Sequence, residues 1–203
     1  MLDQPRYPTL IPLPDELRSG RLVLRPYRLE DAEALYAAID ESRGHLAPWM
    51  PWLRHYRDID DARDFCLQSA ARWLQRADLA LGIFNALNGR FLGSTGLHRF
   101  DWHARTFEVG YWLRQSATGQ GYASEAVRLQ ARLAFAELDA RRLELRCDSR
   151  NVASRRVAER LGFVFEGQLR NDSLDPDGEI RDTLVFSLIP ADYLRLRDTW
   201  WPG

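Results

Sequence analysis

The sequence predicts an α+β domain built on a mixed sheet, and three observations carry that reading. Hairpin-type strands cluster between residues 79 and 113. Strand–helix–strand units follow them toward the C-terminus. No repeat, low-complexity tract or interior linker divides the two blocks. A chain of 203 residues fits one domain of about 100–200 residues and is long enough to bury a sizeable core.

Residues 1–19 are proline-rich and aperiodic, with Pro5, Pro8, Pro12 and Pro14, and read as an extended arm; residues 20–203 form the domain. Arg21–Arg25 alternates as a strand that Pro26 stops. Glu30 and Asp31 open a helix with Ala32, Leu35, Tyr36 and Ile39 on its apolar face. Pro48 and Pro51 break residues 41–57, where Trp49, Trp52 and Tyr56 crowd; these rings suit either an acceptor groove or the core. Asp60 or Asp61 is expected to cap a second helix carrying Ala62, Phe65, Cys66, Ala70 and Trp73.

Leu79–Ala86, the Asn88-Gly89 turn, Arg90–Leu97 and Thr106–Leu113 give three strands. In the last, Phe107, Val109, Tyr111 and Leu113 face one way, and Glu108, Gly110 and Trp112 the other. A helix runs on from Tyr122 and a strand covers Leu143–Cys147. A further helix carries Ser154, Val157, Ala158 and Leu161 and stops at Gly162. Phe163–Arg170 and Thr183–Ile189 are the final strands, separated by the turn residues Asp175-Pro176-Asp177-Gly178. Trp200-Trp201 are expected to pack on the domain or on a second copy in a homodimer.

Composition narrows the function. The chain is 45% hydrophobic and 28% charged with formal net charge −1, which excludes disordered classes and a general nucleic-acid binder. No apolar run approaches the ~20 residues a bilayer span needs. The start lacks a basic flank followed by an apolar stretch, so a cytoplasmic protein is expected. Cys66 and Cys147 are expected as free thiols. His45, His55, His98 and His103 lack metal-ligand spacing, and no metal is expected. All 28 cationic residues are arginine, so no lysine can form a Schiff base or a P-loop cation.

Two segments carry chemistry. In EVGYWL-RQSAT-GQGYASEA a strand, a glycine loop and a helix follow one another. A helix N-terminus offers unpaired N–H groups and a partial positive charge, which suit a diphosphate, although such a turn also serves simply to reverse the chain. Ser124 stands where a dinucleotide fingerprint has its third glycine. The second segment is Asp148–Ser154, in which Asn151 and Ser154 share a helix face or cap it.

In this order and spacing the two segments resemble the GNAT (Gcn5-related N-acetyltransferase) superfamily, more narrowly its RimJ/RimL-type branch. RLVLRPYRLEDAEAL, HLAPWMPW and NVASRRVAERLGFVFEG extend the resemblance over nearly the whole domain. It implies a mixed, mostly antiparallel sheet of about six or seven strands flanked by about four helices, with splayed central strands. It implies acetyl-CoA as acyl donor and a primary amine as acceptor, such as a protein N-terminus, an antibiotic, a polyamine or an amino acid. A non-catalytic CoA-binding module is the remaining reading.

By the same resemblance the diphosphate sits on amides of Gln120, Gly121, Tyr122, Ala123 and Ser124, with Gly119 shaping the loop. Asn151 contacts the cofactor arm, and Arg155 or Arg156 lies near its phosphates. Trp112 or Leu113 donates a backbone N–H to the thioester oxygen. Glu108 is implied as general base. Ser154 takes the acid position, because Val157-Ala158-Glu159-Arg160 holds no tyrosine where many members place one. Cys147 as an acylated nucleophile is the alternative to a buried strand cysteine.

Overall fold

A computed structural model of the chain describes residues 7–175 and 177–200. The elements are β1 (Leu17–Arg18), β2 (Leu22–Arg25), α1 (Ala32–Leu46), α2 (Ile59–Gln75), β3 (Leu79–Asn85), β4 (Phe91–Asp101), β5 (Thr106–Leu113), α3 (Tyr122–Arg132), β6 (Arg142–Asp148), α4 (Val152–Arg160), β7 (Val164–Leu174), β8 (Ile180–Leu188) and α5 (Pro190–Trp200). The strands form one sheet in the order β1-β2-β3-β4-β5-β6-β8-β7. Every neighbouring pair is antiparallel except β5–β6.

The α+β reading and the mixed sheet hold, with eight strands and five α-helices among the described residues, where six or seven strands and about four helices were expected. The added strand is β1, two residues of the arm paired with Val23 and Leu24; Ile11 and Leu17 anchor the arm in the core. The added helix, α5, starts at Pro190 and is bonded at its head by Ile189 N–H to the Asp192 carboxylate. Tyr193 of α5 stacks on Phe135 at 4.9 Å and meets Trp200. Trp200 thus packs on its own domain; Trp201 lies outside the described residues.

Asp58, rather than Asp60 or Asp61, caps α2. Its carboxylate accepts from Asp60 N–H, while Asp61 reaches back to the N–H groups of Arg57 and Asp58. β4 runs past Leu97 to Asp101 because a bulge, with Arg99 at φ 42°, carries the strand through an irregular step.

Period-two alternation divides the core between the sheet's faces. Leu22 and Leu24 join Leu81, Ile83, Phe107 and Val109 beneath α3 and α4, while Val23 joins Ala80, Phe84 and Phe91 beneath α1 and α2. Tyr56 is buried in the second cluster; Trp52 packs between it and Trp112, with centroids 5.4 and 5.8 Å away.

β5 and β6 pair only at Thr106–Arg142, Phe107–Leu143 and Glu108–Glu144. Beyond that point β5 stays with β4 as far as Leu113, and β6 stays with β8 as far as Asp148. The sheet therefore opens into a wedge from Val109 onward. On the β4 side contact is tight: a Cβ on Gly93 would stand 2.1 Å from the Trp112 carbonyl oxygen, so only glycine allows the strands this close.

α1 braces the loop that leaves β5. Glu41 accepts from Arg114 Nε at 2.9 Å and from Ser116 N–H at 2.9 Å, and Ser42 Oγ accepts from Gln115 N–H. The Arg114 guanidinium holds the Glu41 carboxyl at about 2, below its ordinary 4.5. A depressed carboxyl adds stability above its unfolded range and loses it as pH falls toward the folded value. Glu41→Gln should therefore cost about 1 kcal/mol at neutral pH. Urea unfolding should show that difference shrinking as pH falls below 4.5 toward about 2.

Candidate active site

A cavity of about 1090 Å³ fills the wedge and continues under α1 and α2. Its floor is the edge of β5 from Glu108 to Leu113. Residues of the loop before α3 line it, and so do Trp49, Trp52 and Tyr56.

Gly119 and Gly121 adopt φ 73° and 81°. A Cβ on either would meet nothing closer than 3.6 Å, so conformation rather than space selects glycine here. Gly121 precedes α3 without any side-chain cap, leaving the first-turn N–H groups without intrahelical partners. The Ser124 hydroxyl is buried, lines the cavity and has no hydrogen-bond partner among the described residues. An uncapped helix start with an orphaned donor beside it fits a diphosphate.

This loop is held from behind. Arg21 donates to the Gln120 carbonyl at 3.1 Å and to Glu125 at 2.7 Å, and lies over the Tyr122 ring at 4.9 Å. Ser19 Oγ donates to Glu125 at 2.5 Å. Gln120 and Tyr122 thus turn their side chains to the scaffold, while Gly119, Gly121, Ala123 and Ser124 face the cavity. Arg155 is drawn to Glu159 at 2.7 Å and does not line the cavity; Arg156 and Arg160 do.

At the wedge, Asn151 Oδ1 accepts from Ser154 N–H at 3.0 Å and so caps α4. Asn151 also lines the cavity, so capping and cavity lining coexist in one residue. The Ser154 hydroxyl lies 2.9 Å from the Tyr111 hydroxyl. Burial raises the Tyr111 phenol above its ordinary value, and it keeps its proton. Burial likewise raises the Cys147 thiol, which argues against an acyl-cysteine route. Alternation puts Tyr111 on one face of β5 with Phe107, Val109 and Leu113 and assigns it no role. Its one signal was a hydroxyl on an otherwise apolar face.

Glu108 faces α1 and α2 with Gly110 and Trp112, its carboxylate 3.4 Å from Arg99 Nη1. Opposite it on β4 stands His98, whose Nδ1 lies 2.8 Å from Asp78 Oδ2. Sequence reasoning weighed His98 only as a metal ligand and did not use Asp78, because 20 residues separate the two. Among the described residues no His, Cys, Asp or Glu cluster could hold a metal ion, and no helix is long and apolar enough to cross a membrane.

A splayed sheet with an uncapped helix start at its open end defines a binding site for an elongated carrier that bears a diphosphate. The family comparison makes this particular. The family described as acetyltransferase (GNAT) domain matches residues 21–164, and the chain belongs to it. It is a GNAT N-acetyltransferase with acetyl-CoA as its donor.

The ribosomal-protein-serine acetyltransferase of Escherichia coli (strain K12) is 34% identical over 162 residues, covering 77% of this chain and 89% of that one. YdaF of Bacillus subtilis (strain 168) is 31% identical over 174 residues, 85% and 93% of the two chains. RimL, a ribosomal L7/L12 alpha-N-protein acetyltransferase solved with coenzyme A, shares the fold at TM-score 0.80 and 21% identity, over 86% of this chain and 97% of that one.

Valine at 121 would force a β-branched residue to a positive φ beside the uncapped amides. Gly121→Val should weaken acetyl-CoA binding by more than about tenfold while the protein stays folded. Isothermal calorimetry, with circular dichroism as the folding control, checks this.

Proposed function

We propose that the protein acetylates the N-terminal amine of a polypeptide by direct attack in a ternary complex. The observation that carries this reading is the make-up of the cavity lining around α1, α2 and β5. It is aromatic, with Trp49, Trp52 and Trp112, and its charges are mixed: Asp78 and Glu108 against Arg72 and Arg99. A chain end needs room and an apolar wall. A polyamine would call for a clear acidic excess, and none is present among these residues. The ribosomal-protein-serine acetyltransferase relative supports the same class of acceptor.

In this reading the amides of Gly121, Tyr122, Ala123 and Ser124 hold the diphosphate. The free edge of β5 takes the pantetheine arm as an added strand would be taken, with Asn151 beside it. A backbone N–H of Trp112 or Leu113 meets the charge developing on the thioester oxygen. Glu108 draws the ammonium to that point. Ser154, bonded to the protonated Tyr111, supplies a proton toward the departing sulfur. Tyr111 on β5 thereby fills the place left by the tyrosine that α4 lacks.

A thiol-release assay with acetyl-CoA tests the acceptor. Peptides with free N-terminal serine, alanine or threonine should turn over at least tenfold faster than spermidine, free amino acids or an aminoglycoside. Faster turnover of any small amine overturns the reading. Ser154→Ala and Tyr111→Phe should each lower kcat about tenfold, with the acetyl-CoA dissociation constant unchanged by calorimetry. An unchanged kcat in both variants leaves the pair a structural role only.

A further inference from the structure

We infer that the proton released by the attacking amine is taken by Nε2 of His98, which Asp78 holds in place, and that Glu108 acts beside it as a fixed negative charge. The inference rests on the acetyl-transfer reading above and assigns its proton acceptor.

The geometry begins with two glycines. A Cβ on Gly96 would stand 2.8 Å from His98 Nε2, and one on Gly110 3.0 Å from Cδ2. The imidazole therefore occupies the space two absent side chains leave, and it reaches from β4 across to β5. Gly110 lies just past Glu108, the last β5 residue paired with β6. The ring thus stands at the apex of the wedge, where the β5 edge that carries Trp112 and Leu113 becomes free. Asp78, His98, Glu108 and Gly110 all line the one cavity.

The hydrogen bond to Asp78 sets the tautomer. An ionised carboxylate only accepts, so Nδ1 carries the hydrogen and Nε2 of the neutral ring keeps a free lone pair. Nε2 has no hydrogen-bond partner among the described residues. Glu108 is placed otherwise, because Arg99 donates to its carboxylate. The charged groups around the ring are Asp78 ahead of β3, Glu108 on β5, Arg99 next along β4 and Arg72 of α2.

The protons balance. An ammonium becoming an N-acetyl amide gives up two. As the N–C bond forms and the C–S bond breaks, one reaches the CoA sulfur by way of Ser154 and Tyr111. The other goes to His98 Nε2 and on to solvent. Asp78 is a positioning residue in this scheme, and it stabilises the imidazolium that forms.

Two measurements on the intact protein decide the matter. Long-range proton–nitrogen spectra of the histidine rings, with His98→Gln for assignment, should show His98 protonated at Nδ1 and bare at Nε2. A hydrogen on Nε2 overturns the inference, whichever amine proves to be the substrate. The second is the pH profile of kcat/KM on the best amine of the panel.

His98→Gln should lose about 100-fold in kcat and the acidic limb of the profile. Its acetyl-CoA affinity should stay within twofold, and added imidazole should restore part of the rate. Asp78→Asn keeps a hydrogen bond but not the charge, and should move the limb to lower pH with a smaller loss. Glu108→Gln should keep the limb and raise KM for the amine. If Glu108→Gln loses the limb, or His98→Gln keeps both rate and limb, the assignment falls. If no amine of the panel is acetylated, the acceptor reading fails and the ring spectra alone decide this one.

Discussion

Three residue pairs hold β5 to β6, and the pairing ends at Glu108–Glu144. Main-chain donors and acceptors inside a protein must find partners, and past Glu108 the facing edges of these strands find none in each other. Each strand keeps its outer neighbour, so the sheet stays intact while its middle stands open. The position of every group proposed to act follows. The uncapped α3 start lies at the open end, Tyr111 and Ser154 bridge the wedge, and Glu108 with His98 marks its apex.

A wedge of this kind closes unless its walls are fixed. Here ion pairs do much of that fixing at the loop between β5 and α3. Arg21 and Glu125 tie the start of α3 to the edge of β2. Glu41 and Ser42 tie the preceding residues to α1. The glycine loop is thereby suspended from both faces of the sheet and can leave its amides uncapped without collapsing onto them.

Much of this was legible in the chain. The bounds of β5 follow from alternation alone, and Gly119 and Gly121 carry the positive φ values that their place before a helix suggested. Asn151 shows why local reading stays ambiguous: its oxygen caps α4 while the residue also faces the cavity. Features that depend on meetings across the fold were not legible. Tyr111 meets Ser154 from 43 residues away, and no periodicity encodes that. Asp78 lies just ahead of β3 and His98 on β4, and their meeting depends on a register that only the assembled sheet sets. β1 escaped because it is two residues long and is ordered by its pairing with β2.

The arginines that face the chamber, among them Arg72, Arg99, Arg146, Arg156, Arg160 and Arg181, have a chemical consequence. A guanidinium stays protonated and delocalised and is no nucleophile toward a thioester, whereas a lysine amine at any of these places would compete for the same acetyl group. With no lysine anywhere in the chain, the enzyme carries its positive charge in a form its own reagent cannot consume. Side-chain autoacetylation at nitrogen, with the gradual loss of cationic character it brings, is thereby closed off by composition.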